Sequence, residues 1–206
     1  MKKLDKKTLL VVLSSPSGGG KTSICREVVK ILKDAAYSIS VTTRAPRKNE
    51  TFGKDYLFVT EKKFKEMIAK KQFAEWARVF GKYYGTLKKH IERAFQKNLT
   101  LFFTLDPQGA LALKKKYPDA ILIYILPPSI TELKRRLQKR KTDSSRTIQK
   151  RLKEALREIS FWDKYDYVIV NRDLKKSVAI VRDIVQAEKN KSRNFNFTGW
   201  RNQLHL

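Results

Sequence analysis

The sequence predicts an α/β fold, a parallel sheet with helices on both faces, and three observations carry that expectation. Apolar runs of strand length alternate with stretches whose apolar residues recur at helical spacing, the pattern of parallel strands joined by crossover helices. Between the first apolar run and the first helix lies Ser14-Ser15-Pro16-Ser17-Gly18-Gly19-Gly20-Lys21-Thr22, a glycine-rich turn opening a helix. From residue 40 to 87 the alternation gives way to short strand-like pieces around one helix, which marks a small mixed α/β insert.

Thr8 to Leu13 is almost continuously apolar, as a strand buried on both faces requires. In the turn that follows, the glycines let successive backbone N–H groups converge on one anion, and the helix N-terminus adds its partial positive charge. Lys21 suits the β/γ-phosphates of a nucleotide and the Thr22 hydroxyl suits Mg²⁺. Ser15, Pro16, Ser17, Gly18, Gly19, Gly20, Lys21, Thr22 and Ser23 are therefore the expected nucleotide-phosphate contacts of a P-loop NTPase-type fold. Ser15 stands where the usual G-x-x-x-x-G-K-[ST] pattern has its first glycine.

A helix is expected from Ser23 to Asp34, with Ile24, Val28, Ile31 and Leu32 on one face, and Tyr37 to Thr42 alternates as one strand. The polar loop 43–50 is extended before Pro46, so Arg44 and Arg47 can point at one target. Strand pieces follow at 56–59, 73–80 and 83–86, with a helix over 61–70. Helix 87–96 leads to the buried strand 99–105, which ends in Asp106-Pro107-Gln108-Gly109; ligands bind at the carboxyl ends of parallel strands. Helix 110–117, strand 121–126, a helix from Ile130, strand 166–170 and helix 174–188 complete the order. The apolar stripe of that final helix is Val178, Ile180, Val181, Ile184 and Val185.

Composition sets outer limits. The 206 residues suit one domain, and no apolar run approaches the length of a membrane span, so a cytoplasmic protein without membrane partners is expected. Forty-six Lys and Arg against twenty Asp and Glu give a net charge of +26, a field that attracts polyanions. Residues 134–153 hold ten basic residues and one acid. The remaining excess is scattered without the aromatic platforms of RNA-binding modules, so nucleic acid is not expected as a specific partner. Cys25, the only cysteine, reads as core packing, and His90 and His205 lack the clustered partners of a zinc site.

Further motifs join the loop in order: Ser-Val-Thr-Thr-Arg-Ala-Pro-Arg (40–47), Gly-Lys-Asp-Tyr (53–56), Glu-Trp-Ala (75–77), Tyr-Tyr-Gly-Thr (83–86), Asp-Pro-Gln-Gly (106–109), Pro-Pro-Ser (127–129) and Val-Ile-Val-Asn (168–171). Through them, from about Leu9 to about Glu188, the chain resembles the guanylate kinases, which move a phosphoryl group from ATP to GMP. The resemblance implies a core of residues 1–39, 88–135 and 152–190, a GMP-binding insert at 40–87 and a lid at 136–151. A basic tail, 191–206, lies beyond it. By the same resemblance Arg44, Arg47, Tyr56 and Tyr84 clamp the GMP phosphate, Glu75 reads guanine, and Ser40, Thr86 and Asp106 support the base. Asn171 is expected beside adenine. Lys21, Arg136, Arg140 and Arg151 are expected to screen the transferring phosphoryl group, with Mg²⁺ entering with ATP at Thr22.

Chemistry makes these assignments coherent. Guanidinium forks suit a phosphate dianion, and a carboxylate can accept both the N1–H and the 2-amino protons of guanine, which adenine cannot offer. Arg136 and Arg140, four apart, share a helix face. The chain departs from the family at Thr104, where the first of two acids is usual, and at Arg172, where an acid is usual. Guanylate-kinase-like modules that only bind protein partners tend to lose the loop lysine and lid arginines, whereas Lys21, Arg140 and Arg151 are present. ATP and GMP are the implied partners, in a monomer or homodimer.

Overall fold

The computed structural model describes residues 8–47, 50–139, 145–194 and 201. In chain order the elements are β1 (Leu10–Ser14), α1 (Lys21–Ile31), β2 (Ala35–Tyr37), β3 (Val41–Thr42), β4 (Leu57–Phe58), α2 (Glu61–Ala69), β5 (Phe73–Val79), β6 (Lys82–Leu87), α3 (Lys88–Gln96) and β7 (Thr100–Thr104). They continue with α4 (Pro107–Lys116), β8 (Ile121–Leu126), α5 (Ile130–Lys139), α6 (Ser145–Ile159), β9 (Tyr167–Val170) and α7 (Leu174–Lys189).

Five strands form one parallel sheet in the order β2-β7-β1-β8-β9. The continuous apolar character of β1 follows from its central place, because successive side chains point to opposite faces and both faces are covered. Val11 and Leu13 pack with Ile24 and Val28 of α1 and Val181 and Val185 of α7. Leu10 and Val12 pack on the other side with Ile91 and Ala94 of α3 and Ala110 and Leu113 of α4. Cys25 is fully buried in the first of these layers, and burial pushes its thiol pKa up, as a packing role requires.

Two expected helix stripes are narrower than their apolar content. Ile31 is 53% exposed and Ile180 45% exposed. Val178, Val181 and Val185 fall on one side of α7, while Ile180, two residues from Val178, is turned about 200° away from it. The stretch Tyr37 to Thr42 also departs from expectation, for it is not one strand. Tyr37 ends β2 in the parallel sheet, Val41 begins β3 in a second sheet, and Ser38 to Ser40 cross between them.

That second sheet is mixed, in the order β4-β3-β6-β5, with β3 parallel to β4 and antiparallel to β6, and β6 antiparallel to β5. Its own small core is Val41, Phe64, Phe73 and Leu87. The Phe64 ring stacks on Phe73 at 4.5 Å and on Tyr83 at 5.2 Å between centroids, a contact of aromatic rings that anchors α2 to the strands. Register places Thr42 opposite Tyr84 and Val41 opposite Gly85.

The end of α7 is tied back to the start of β2. Lys189, its side chain 3% exposed, donates to both carboxylate oxygens of Asp34 at 2.8 Å. Removing the acid would leave a buried ammonium without this partner. Asp34→Ala is expected to lower unfolding free energy by about 2–3 kcal/mol, read from urea denaturation, while leaving substrate KM values unchanged because the pair lies away from the cavity described below.

Candidate active site

Parallel register brings the carboxyl ends of β1 and β7 side by side, with Leu13 paired to Thr104, so the glycine-rich loop and the segment after β7 open on the same edge. The loop is held by its own backbone. Gly19 N–H donates to the Pro16 carbonyl at 2.8 Å, and Gly20, the N-cap of α1, sits at φ 98°, a conformation that favours glycine. A Cβ at Gly20 would also stand 2.5 Å from Asn171 Nδ2. Ser15 is absent from the positive-φ residues of the described chain, so its place in the loop makes no demand for glycine. Its hydroxyl donates to the Pro16 carbonyl at 3.0 Å.

One cavity of about 880 Å³ runs from this loop to the second sheet. Ser15, Ser17, Gly18, Gly20, Lys21, Thr22 and Ser23 line one end; Ser40, Arg44, Arg47, Tyr56, Glu75 and Tyr84 line the other; Asp106 and Arg151 also reach it. Pro16 and Gly19 are buried behind the loop. Arg44, whose guanidinium carbon lies 5.4 Å from the Tyr56 ring centre and 5.9 Å from that of Phe58, is held by cation–π contact. Tyr56 meets Tyr84 edge-on at 6.1 Å.

Glu75 is 4% exposed, with Oε1 lacking a hydrogen-bond partner. Burial pushes its pKa up to about 7, with the nearby Asp106 adding to the shift and Thr86 opposing it. A Cβ at Gly109 would lie 2.8 Å from Glu75 Oε2, so the glycine of the Asp-Pro-Gln-Gly motif makes room for this carboxylate. The Thr86 hydroxyl beside it in register is likewise buried, and Thr86 stands behind Glu75, outside the cavity lining. A buried acceptor without a donor is costly, and Glu75 Oε1 belongs to a cavity wall that a ligand with paired N–H groups could reach. Asp106 caps α4 through Oδ1, accepting from Gln108 N–H at 2.9 Å and Gly109 N–H at 3.2 Å.

Three further expected site residues, Thr86, Asn171 and Arg136, stand outside the cavity lining. Asn171 is buried behind the loop, where Nδ2 donates to the Gly19 carbonyl at 3.0 Å and Oδ1 accepts from the Ser177 hydroxyl at 3.0 Å. It braces the loop from α7 and β9, outside the cavity lining. Arg136 is engaged with Glu132 Oε1 at 2.8 Å and with the Asn171 carbonyl at 3.2 Å, also outside the cavity. Arg140, with residues 141–144, lies outside the described residues.

The cavity also holds residues that sequence reasoning did not single out. Glu158 Oε2 accepts from the Ser17 N–H at 3.1 Å, and burial raises its pKa against the pull of Lys21. Asp55 pairs with Arg26 of α1, joining the insert to the helix that follows the loop, and its pKa is held down first by the Thr51 N–H and then by Arg26. Glu50 lies between Arg44 and Arg47. The Thr104 hydroxyl and the Tyr37 hydroxyl are 2.8 Å apart in the same wall, a neutral pair where the family usually has an acid. Glu50 and Asp55 are single charges in polar loops and Glu158 is one charge among many on α6, so none carries a periodic signal; only Asp55, inside Gly-Lys-Asp-Tyr, lies within a motif.

The parallel sheet, the glycine-rich loop opening α1 and the inserted mixed sheet define a nucleotide-binding α/β protein of the P-loop class. The sequence model described as guanylate kinase matches residues 7–188, and the chain belongs to the guanylate kinase family. It is similar to the guanylate kinase of Caldanaerobacter subterraneus subsp. tengcongensis, 44% identical over 90% of each chain, and to that of Thermotoga maritima, 42% identical over 88% of each. The crystal structure of guanylate kinase from Anaplasma phagocytophilum superposes with a TM-score of 0.80 at 33% identity, covering 95% of this chain and 93% of that one.

The elevated Glu75 pKa fixes the sign of a stability effect. The folded chain keeps this proton to higher pH than the unfolded chain, so the charge costs stability as pH rises from about 4.5 to about 7. Glu75→Gln, which cannot ionise, is expected to become more stable relative to the native chain between pH 4 and pH 8 by on the order of 3 kcal/mol. Denaturant titrations of both proteins at the two pH values measure it.

Proposed function

We propose that the protein transfers the γ-phosphoryl group of ATP to GMP, giving ADP and GDP. The observation that carries this reading is the shared cavity: Lys21 with its loop amides at one end, Arg44, Arg47 and the buried Glu75 carboxylate, its Oε1 without a hydrogen-bond partner, at the other. Two anionic nucleotides bound at these ends would meet phosphate to phosphate. In this reading Glu75 accepts the guanine N1–H and 2-amino protons, with Ser40, Thr86 and Asp106 supporting the base, and Arg44, Arg47, Tyr56 and Tyr84 hold the phosphate. A site built on such hydrogen bonds rejects a base that lacks the donors, because buried acceptors would then stay unpaired.

Transfer asks the protein mainly for position and charge screening. Ser17 to Ser23 would cradle the ATP phosphates and Lys21 would pair with them. Arg151, already in the cavity wall, would face the transferring group. Arg136 would reach it only by exchanging its bonds to Glu132 and the Asn171 carbonyl, and with Arg140 it is proposed as part of a closing lid. The donor set suits Mg²⁺: Thr22 offers a hydroxyl where ATP phosphates would lie, and Asp106 and Glu158 share the wall. Mg²⁺ retains several waters and needs few protein oxygens; bound with ATP, it would screen the phosphate oxygens. Work in the cytoplasm on purine nucleotides is part of this proposal.

Incubation of the purified chain with ATP, Mg²⁺ and GMP, AMP, UMP or CMP in turn, following ADP, tests the reading. GMP is expected as the preferred acceptor by a factor of ~10³ or more in kcat/KM; preference for AMP would remove Glu75 from its role, and no turnover with any acceptor would end the proposal. Arg151→Met is expected to lower kcat at least tenfold with GMP affinity nearly unchanged, the signature of a contact made chiefly in the transition state; equal loss of both would assign Arg151 to binding instead.

A further inference from the structure

Six cationic side chains, Lys21, Arg26, Arg44, Arg47, Lys82 and Arg151, line the cavity against five acids, Glu50, Asp55, Glu75, Asp106 and Glu158. A chain with a net charge of +26 thus presents a nearly balanced interior to its ligands. Two of the acids sit on groups that would hold phosphate, Glu158 on the Ser17 N–H and Glu50 on Arg44 and Arg47, and the closer fit is at Glu50.

Arg44 Nη2 donates to Glu50 Oε1 at 2.8 Å, the Arg47 backbone N–H donates to Oε2 at 2.8 Å, and Arg47 Nη1 lies 3.5 Å from Oε1. The carboxylate is largely enclosed, its side chain 15% exposed, as is that of Arg44 at 17%. An exposed pair at this spacing would contribute little. This one differs, because Arg44 Nη1 is also fixed on the Ala45 carbonyl at 2.6 Å and its guanidinium rests near the Tyr56 and Phe58 rings. The donors are preset, and a planar pair of oxygens already fills them. A phosphate monoester would bring oxygens of the same spacing with a second negative charge.

We propose that Glu50 is an intramolecular competitor for the phosphate clamp: its carboxylate holds the place of the acceptor's phosphate and yields it to a dianion. The inference rests on the reading of Arg44 and Arg47 as that clamp. Because the clamp is open to ligand only in the fraction of molecules where Glu50 has left, the apparent dissociation constant exceeds the intrinsic one by the inverse of that fraction. Glu50 therefore sets affinity and selects for ligand charge. A nucleoside without phosphate gains nothing by displacing it.

Calorimetric titration of the intact native chain, Glu50→Gln and Glu50→Ala with GMP, inorganic phosphate and guanosine tests this, with thermal unfolding confirming that both variants are folded. Both are expected to bind GMP and inorganic phosphate at least about fivefold more tightly than the native chain, with guanosine binding unchanged. Unchanged or weaker phosphate and GMP binding in both variants would overturn the proposal and make Glu50 a brace for the arginines. Tighter inorganic phosphate binding in the variants with no GMP binding by any of the three proteins would sustain the exchange and remove GMP as its ligand.

Discussion

Strand β1 lies between β7 and β8 with both of its faces covered, and that burial governs what its carboxyl end can do. A chain leaving such a strand must turn at the edge of the sheet, where its backbone amides no longer have ladder partners. Here the turn is made with glycine at φ 95° and φ 98°, α1 begins at once, and the amides stay turned toward one side. The neighbouring β7 ends at the same level and delivers Thr104 and Asp106 beside the loop. The loop end of the cavity is thus a product of core packing, and residues that fix it, such as Val12 and Phe103, stand outside the cavity lining.

The other end is built on different physics. The small sheet has a core of four buried residues, and its contribution to the cavity is polar: the guanidinium groups of Arg44 and Arg47 and a carboxylate kept from water. Glu75 is expensive to bury, since its charge is served by little besides Thr86. The expense has a use if guanine supplies the missing donors. Stability and recognition are therefore set against each other at one side chain.

Much of this was legible in the sequence, for identifiable reasons. The parallel core announced itself because double-sided burial makes uninterrupted apolar runs, and the loop because its glycines, lysine and hydroxyl must fall in that order. The break at Ser38 to Ser40 was not legible: alternation continues through Tyr37 to Thr42, and only pairing with different partners divides it. Asn171 was expected beside adenine, and its bond to the Gly19 carbonyl was beyond reach of a local reading because it spans 152 residues of sequence. Glu50 and Glu158 look like ordinary solvated acids until the fold brings them against Arg44 and the Ser17 amide.

The crossing at Ser38 to Ser40 has a geometric consequence. Continuing the β3–β6 register by one and two residues from Val41 and Gly85 sets Ser40 beside Thr86 and Ile39 beside Leu87, so the chain enters and leaves the small sheet along a single line. Rotation about that line would alter the gap between the loop amides and the Arg44 and Arg47 guanidinium groups while sparing both hydrogen-bond ladders. Two ties would resist it: the pair between Arg26 and Asp55, and the hydrogen bond that Lys116 of α4 donates to the Ala74 carbonyl of β5, which makes them clasps on either side of the mouth.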